Sequence, residues 1–280
     1  MATYSLGLYE KSMPNSLSME EKLKEAKLAG FDYLELSIDE TDEKLARLDW
    51  SDEEIFEINR MQQEVGLRIS SICLSGHRRF PLGSMDPEVR KMSLEIMRKA
   101  VELASKLGVR IIQIAGYDVY YEEGSEETKK FFAENLAKSV AMAAAKGVIL
   151  GFETMETSFL DTVQKAMYWV DRINSPYLQV YPDIGNLTNS SLLYQTDPVA
   201  DMHLGSGHLA AVHLKETVPS VYREVPYGTG HVNFEAMAKE AISQGVRMFV
   251  GEFWYTGEEN WREILVNNHA FLCKVLCRLV

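Results

Sequence analysis

Five times along this 280-residue chain a helical pattern ends in glycine and an apolar strand follows at once. The junctions read KEAKLAGFDYLELS at Gly30, MQQEVGLRISSICLS at Gly66, ASKLGVRIIQIAGY at Gly108, AMAAAKGVILGFET at Gly147 and KEAISQGVRMFVGEF at Gly245. Glycine just past a helix end adopts positive φ without Cβ strain, which turns a helix directly into a strand. Three further strand-like runs, YSLGLY (4–9), YLQVYPDIG (177–185) and LAAVHLKE (209–216), bring the strand candidates to eight. They begin near 4, 31, 67, 109, 147, 177, 209 and 246, which leaves room in each interval for one helix and two short loops. Helix starts agree. Ser18-x-x-Glu21 and Ser51-x-x-Glu54 are capping-box patterns, and Asp86-Pro87 reads as an N-cap followed by proline at the first helical position. A helix over 260–280 would be the last unit. Strand–helix alternation with parallel crossovers leaves two architectures, an open doubly wound sheet or a closed barrel. Eight units over 1–280, with no linker or low-complexity break, favour a single α/β domain folded as a (β/α)8 TIM barrel. The most irregular stretches, 75–87, 186–205 and 216–233, then follow strands three, six and seven, on the face where barrel active sites sit.

Composition narrows the function. Lys+Arg 29 against Asp+Glu 41 gives a net charge of −12. That works against a nucleic-acid partner or an anionic membrane, but not against a small anionic substrate held in a local basic pocket. No run of eighteen apolar residues is present, so no membrane-spanning helix is expected. The start MATYSLGLYEKSMPN lacks a basic-then-apolar leader. Cys73, Cys273 and Cys277 form no metal spacing and leave one thiol over in any pairing. A cytoplasmic protein is the expectation.

In a barrel, the C-terminal ends of the strands carry the chemistry. Strand five ends in GFETM with Glu153, strand six in VYPDIGN with Asp183, strand seven in AAVHLKE with His213, and strand eight in VGEFWY with Glu252. Each taken alone is as well explained as the first polar residue of a strand emerging into water. Together, three inward carboxylates without a cation would suffer repulsion and desolvation, and one divalent ion resolves both. Three oxygens and one imidazole suit Mn²⁺, Mg²⁺, Co²⁺ or Zn²⁺, and the sequence does not choose among them.

The phrases SIDETDEKLARLDWS (37–51), CLSGHRRFPLGS (73–84), IAGYDVYYEE (114–123), VYPDIGNL (180–187) and AVHLKET (211–217) carry a more specific likeness. Over almost the whole chain the sequence resembles the L-ribulose-5-phosphate (L-xylulose-5-phosphate) 3-epimerases of bacterial L-ascorbate and pentose utilisation. These belong to the xylose-isomerase-like sugar epimerase and isomerase superfamily, with the tagatose/psicose 3-epimerases and endonuclease IV. The resemblance implies a metal held by Glu153, Asp183, His213 and Glu252, with the two glutamates also the catalytic pair. The ketohexose 3-epimerases usually carry a His three residues beyond the metal Asp. Asn186 stands there in this chain, which weakens a free-ketohexose assignment.

The expected reaction binds the C2 carbonyl and C3 hydroxyl of a ketose phosphate at the metal. One glutamate removes the C3 proton, and the other returns a proton from the opposite face through a metal-stabilised enediolate. Substrate contacts are expected from Arg78 and Arg79 as a phosphate clamp, and from His77 on a hydroxyl. Lys215, two residues past His213, shares its strand face, and Trp254 has the same relation to Glu252. Glu156 and Asn186 complete the expected set. Three readings compete. Aldose–ketose isomerisation of a phosphosugar or of hydroxypyruvate uses the same metal and glutamates. An endonuclease IV-like nuclease needs more metals and a basic groove. A non-catalytic sugar-phosphate-binding barrel has no turnover to lose. Barrels of this kind often pair through helices, so the expected partners are a small ketose phosphate and a second copy in a homodimer.

Overall fold

The computed structural model of the chain describes residues 4–279. Residues 1–3 and Val280, the ends of the expected domain and of the 260–280 helix, lie outside the described residues. The strands are β1 (Ser5–Tyr9), β2 (Tyr33–Ile38), β3 (Arg68–Leu74), β4 (Ile111–Ala115), β5 (Ile149–Glu153), β6 (Leu178–Val180), β7 (Val212–Leu214) and β8 (Met248–Gly251). The helices are α1 (Met19–Leu28), α2 (Asp42–Leu45), α3 (Asp52–Val65), α4 (Pro87–Leu107), α5 (Glu126–Lys146), α6 (Val163–Ile173), α7 (Ile184–Tyr194), α8 (Pro198–His203), α9 (Phe234–Ser243) and α10 (Trp261–Leu276). Among the described residues no helix is long and apolar enough to cross a membrane.

All eight strands pair in parallel in the order β6-β5-β4-β3-β2-β1-β8-β7. The seam between β6 and β7 closes through the parallel bridges Val180–Leu209 and Asp183–His213. There the Val180 N–H donates to the His208 carbonyl at 2.8 Å and the His213 N–H to the Pro182 carbonyl at 3.0 Å. The result is the (β/α)8 barrel. The five junction glycines have φ between 65° and 100°, so each uses the backbone freedom that the pattern required. Both capping boxes form, and Asp86 caps α4 with Pro87 behind it. One stretch differs from expectation. Residues 186–205 are not irregular but form most of α7 and all of α8. Their Asn, Ser and Thr content argues against helix on propensity alone. The Asp183 carboxylate overrides it by accepting from the Asn186 N–H at 2.8 Å as N-cap, and Ile184–Ser191 pack inside.

Strand alternation divides the apolar residues into two cores. Leu34, Leu36 and Ile38 of β2 face outward into the layer of helices. Tyr9, Tyr33, Cys73, Ile111, Tyr181, Ala211 and Val250 fill the barrel interior. Two glycines make this filling possible. A Cβ at Gly7 would lie 2.3 Å from the Tyr33 ring, and one at Gly151 would lie 2.9 Å from Tyr181 Cβ. Above this apolar floor the inward positions become polar, and the site begins.

Candidate active site

Glu153 ends β5, Asp183 follows β6, His213 is central in β7 and Glu252 follows β8. The sequence reading of inward parity is met at all four. Each is buried, and one donor atom from each lies within 4.8 Å of the others. His213 Nδ1 is 2.9 Å from Glu252 Oε2 and 3.9 Å from Glu153 Oε1. Lys215, on the same face as His213, puts its Nζ 2.6 Å from Asp183 Oδ2 and 3.7 Å from Glu252 Oε2.

Burial and neighbouring charge drive these groups apart. Glu153 is pushed up to about 8, first by burial and then by the Glu252 carboxylate. Glu252 has the opposite fate: burial raises it, but Lys215 and His213 outweigh burial and hold it well below the ordinary carboxylate range. Asp183 rises to about 7 because burial outweighs the pull of Lys215. A divalent cation suits this group. Its donors are three carboxylates and an imidazole, all buried, and the one ammonium beside them, Lys215, leaves the cluster short of positive charge.

Above the four lies a narrow cavity of about 50 Å³ that opens to solvent. Of the residues expected from sequence, Glu153, Glu252, Arg78, Glu156, Asn186, Lys215 and Trp254 line it. Asn186 donates its amide to the Thr154 carbonyl at 2.7 Å and leaves its own buried Oδ1 without a partner. Glu156 accepts from Tyr120 Oη at 2.9 Å and from Arg223 at 2.7 Å. The Arg78 guanidinium lies 4.7 Å over the Tyr120 ring, with Nε unpartnered.

His77 and Arg79 are not in the cavity, and this corrects the expectation for both. Residues Gly76–Arg78 form a single 3₁₀ turn. Successive side chains there diverge by about 120°, so only Arg78 of the three faces the barrel mouth. His77 is turned under α4, where its Nε2 sits 3.0 Å from the Ser93 carbonyl and burial lowers its pKa to about 4. Arg79 lies over the Phe80 ring at 5.0 Å and pairs with Asp42 at 2.6 Å on the outer surface.

The structure adds residues that the sequence reading missed. Lys11, Tyr222 and Arg223 line the cavity, and Glu35 and Gln113 contact His213 from within the barrel. Arg223 lies in the aperiodic stretch 216–233, where no pattern announces a facing. Glu35 did carry a signal: in YLELSI it is the one charge on a strand, at the same parity as inward Tyr33.

Comparison with known proteins agrees with this geometry. The family described as xylose isomerase-like TIM barrel matches residues 23–274. L-ribulose-5-phosphate 3-epimerase UlaE of Shigella boydii is 46% identical over 230 residues, covering 82% of this chain and 80% of that protein. The UlaE protein of Salmonella paratyphi A is 44% identical over 256 residues, covering 91% and 89%. A solved L-ribulose 3-epimerase, 19% identical, superposes with a TM-score of 0.77 over 99% of this chain and 95% of that one, a likeness of fold. The chain belongs to the xylose isomerase-like TIM barrel family and, within it, to the family of the L-ribulose-5-phosphate 3-epimerases.

Proposed function

We propose that the protein is a divalent-metal-dependent 3-epimerase that interconverts L-xylulose 5-phosphate and L-ribulose 5-phosphate. The observation that carries this is the convergence of Glu153, Asp183, His213 and Glu252 within 4.8 Å at the mouth of the barrel. The 44–46% identity to proteins named for this reaction supports the substrate. Glu153, Asp183, His213 and Glu252 are the residues that would hold the cation, whose positive charge makes a C–H bond beside a ketone acidic enough for a carboxylate to remove.

The two glutamates arrive from β5 and β8 and flank the same cavity. Inversion at C3 requires one group to take a proton from one face and another to deliver it to the other face. A single base would return the proton to the side it came from. Either glutamate can serve as the base, the epimer bound deciding which one takes the proton. The Lys215 ammonium, 3.7 Å from Glu252 Oε2, favours the ionised form of Glu252. Trp254 and Tyr9 wall the cavity and limit water.

The anionic end of the substrate has a separate place. Lys11, Arg78 and Arg223 line the cavity, cations that an anionic group could engage in a chain of net charge −12. Arg78→Ala and Arg223→Ala are each expected to raise KM for the phosphorylated pentulose about 10- to 100-fold, the worth of a charge-assisted hydrogen bond, with a smaller change in kcat. Arg79→Ala should stay within about twofold, since Arg79 points away. Steady-state kinetics on L-ribulose 5-phosphate and on unphosphorylated L-ribulose check this. Equal losses on both sugars would remove the arginines from phosphate binding.

The function is tested by incubating the purified protein with L-xylulose 5-phosphate in deuterated water, with and without a chelator. Epimerisation places one deuterium at C3, and the chelator stops it. Label at C2 of an aldose product, with C1 label in the recovered ketose, would assign an aldose–ketose isomerase instead. Undiminished turnover in chelator would sink the metal requirement.

A further inference from the structure

We propose that Glu35 is a positioning residue that fixes the ring of His213 so that Nδ1 is the nitrogen presented to a cation. The inference rests on the metal-site reading above. Glu35 sits on β2, fully buried in the barrel interior, and belongs to neither the four-residue cluster nor the cavity wall. Its Oε1 lies 2.6 Å from His213 Nε2. Its Oε2 accepts from the Ser71 hydroxyl at 2.7 Å and the Tyr181 hydroxyl at 2.9 Å.

Two hydroxyl donors on one oxygen mark the group as an acceptor, so in the third contact His213 Nε2–H donates to Oε1. A neutral imidazole carries one ring proton. With that proton held at Nε2, the lone pair lies on Nδ1, the nitrogen that faces Glu252 at 2.9 Å and Glu153 at 3.9 Å. The ring is also braced by the Gln113 amide nitrogen, which lies over its face at 3.0 Å from Nδ1 and 3.3 Å from Nε2, and by the Tyr181 ring, edge-on at 5.0 Å. Histidines that bind a metal through one nitrogen commonly donate the other N–H to a carboxylate, which sets ring orientation and strengthens the ligand. The placement is otherwise hard to explain. An apolar side chain would fill the same space without the cost of burying a carboxylate, and no lysine or arginine reaches Glu35 among the described ion pairs.

The test uses the full chain stripped of metal and titrated with Zn²⁺ alone against a competing chromogenic chelator. Glu35→Gln is expected to weaken Zn²⁺ binding about 10- to 100-fold. In ¹⁵N spectra of the zinc-loaded protein, the slowly exchanging Nε2 proton of His213 should be present in the wild type and lost or shifted in the variant. Tyr181→Phe removes one hydroxyl that holds Glu35 but leaves the carboxylate. It should weaken Zn²⁺ binding in the same direction and by less. It also serves as the deciding variant if Glu35→Gln does not fold. Zn²⁺ affinity within twofold of wild type, with an unmoved His213 Nε2 proton, overturns the positioning role and leaves the metal reading intact. A wild-type protein that takes up no cation overturns the metal reading and this role with it.

Discussion

Replacing Glu153 with glutamine is expected to lower the rate of C3 inversion by about 10³- to 10⁴-fold, and Glu252→Gln should do the same. Glutamine keeps the shape and one oxygen donor but cannot accept a proton at the catalytic pH. Both positions also belong to the four-residue cluster, so loss of activity alone would not distinguish a lost base from a lost metal. Two measurements separate them. Elemental analysis of the purified variants reports whether the cation is retained. Deuterium exchange at C3 reports each base by itself. In each variant the surviving glutamate faces the C3 hydrogen of only one epimer. It should exchange that hydrogen with solvent without inverting the centre. The two variants should therefore exchange opposite epimers. If both exchange the same epimer, or if either retains inversion within tenfold of wild type, the two-base scheme fails.

The strand ends were readable because inward parity and position along a barrel strand are both written in the sequence. Glu153, Asp183, His213 and Glu252 each follow an apolar run, and Lys215 and Trp254 follow two residues later on the same face. The same argument stops at the first irregular turn. HRRF offers three polar side chains in a row, and only the 3₁₀ turn decides that Arg78 enters the cavity while His77 and Arg79 leave it. Arg223 was out of reach for a related reason: its segment has no periodicity from which a facing can be deduced. Glu35 is legible by parity, as the one charge in YLELSI and two residues past inward Tyr33. The phrase SIDETDEKLARLDWS is one of those that carry the family likeness. Its Lys44 and Arg47 belong neither to the four-residue cluster nor to the cavity wall. They close on Glu10, a residue 37 positions before Arg47, and local pattern carries no such pairing.

That closure leads to the largest expected loss of stability. Glu10 follows β1 in a short turn and is fully buried. Its Oε1 lies 2.6 Å from Lys22, 2.8 Å from Lys44 and 2.8 Å from an Arg47 nitrogen. Its Oε2 accepts from Arg47 at 2.5 Å and from the Ser37 N–H at 2.9 Å. One carboxylate thus joins β1, α1 and the segment around α2, and its chain neighbours Tyr9 and Lys11 both line the catalytic cavity. Glu10→Gln keeps the shape and strands three cations around a neutral amide. The expected loss is about 3–5 kcal/mol in urea denaturation, as for a broken buried ion pair. Lys44→Met should cost far less, within about 1 kcal/mol, because Glu10 keeps two partners and because burial already lowers the Lys44 pKa. The pH dependence has a definite sign. Burial alone would raise the Glu10 pKa, but Arg47, Lys22 and Lys44 hold it well below the ordinary carboxylate range. Between the folded and unfolded pKa values the unfolded chain binds the extra proton, so stability from Glu10 is complete above the unfolded value and erodes as pH falls below it. The gap between wild type and Glu10→Gln should therefore stay level above about pH 5.5 and narrow toward pH 3. A gap under about 1 kcal/mol at pH 7, or one that widens in acid, would show that Glu10 does not hold the cluster together.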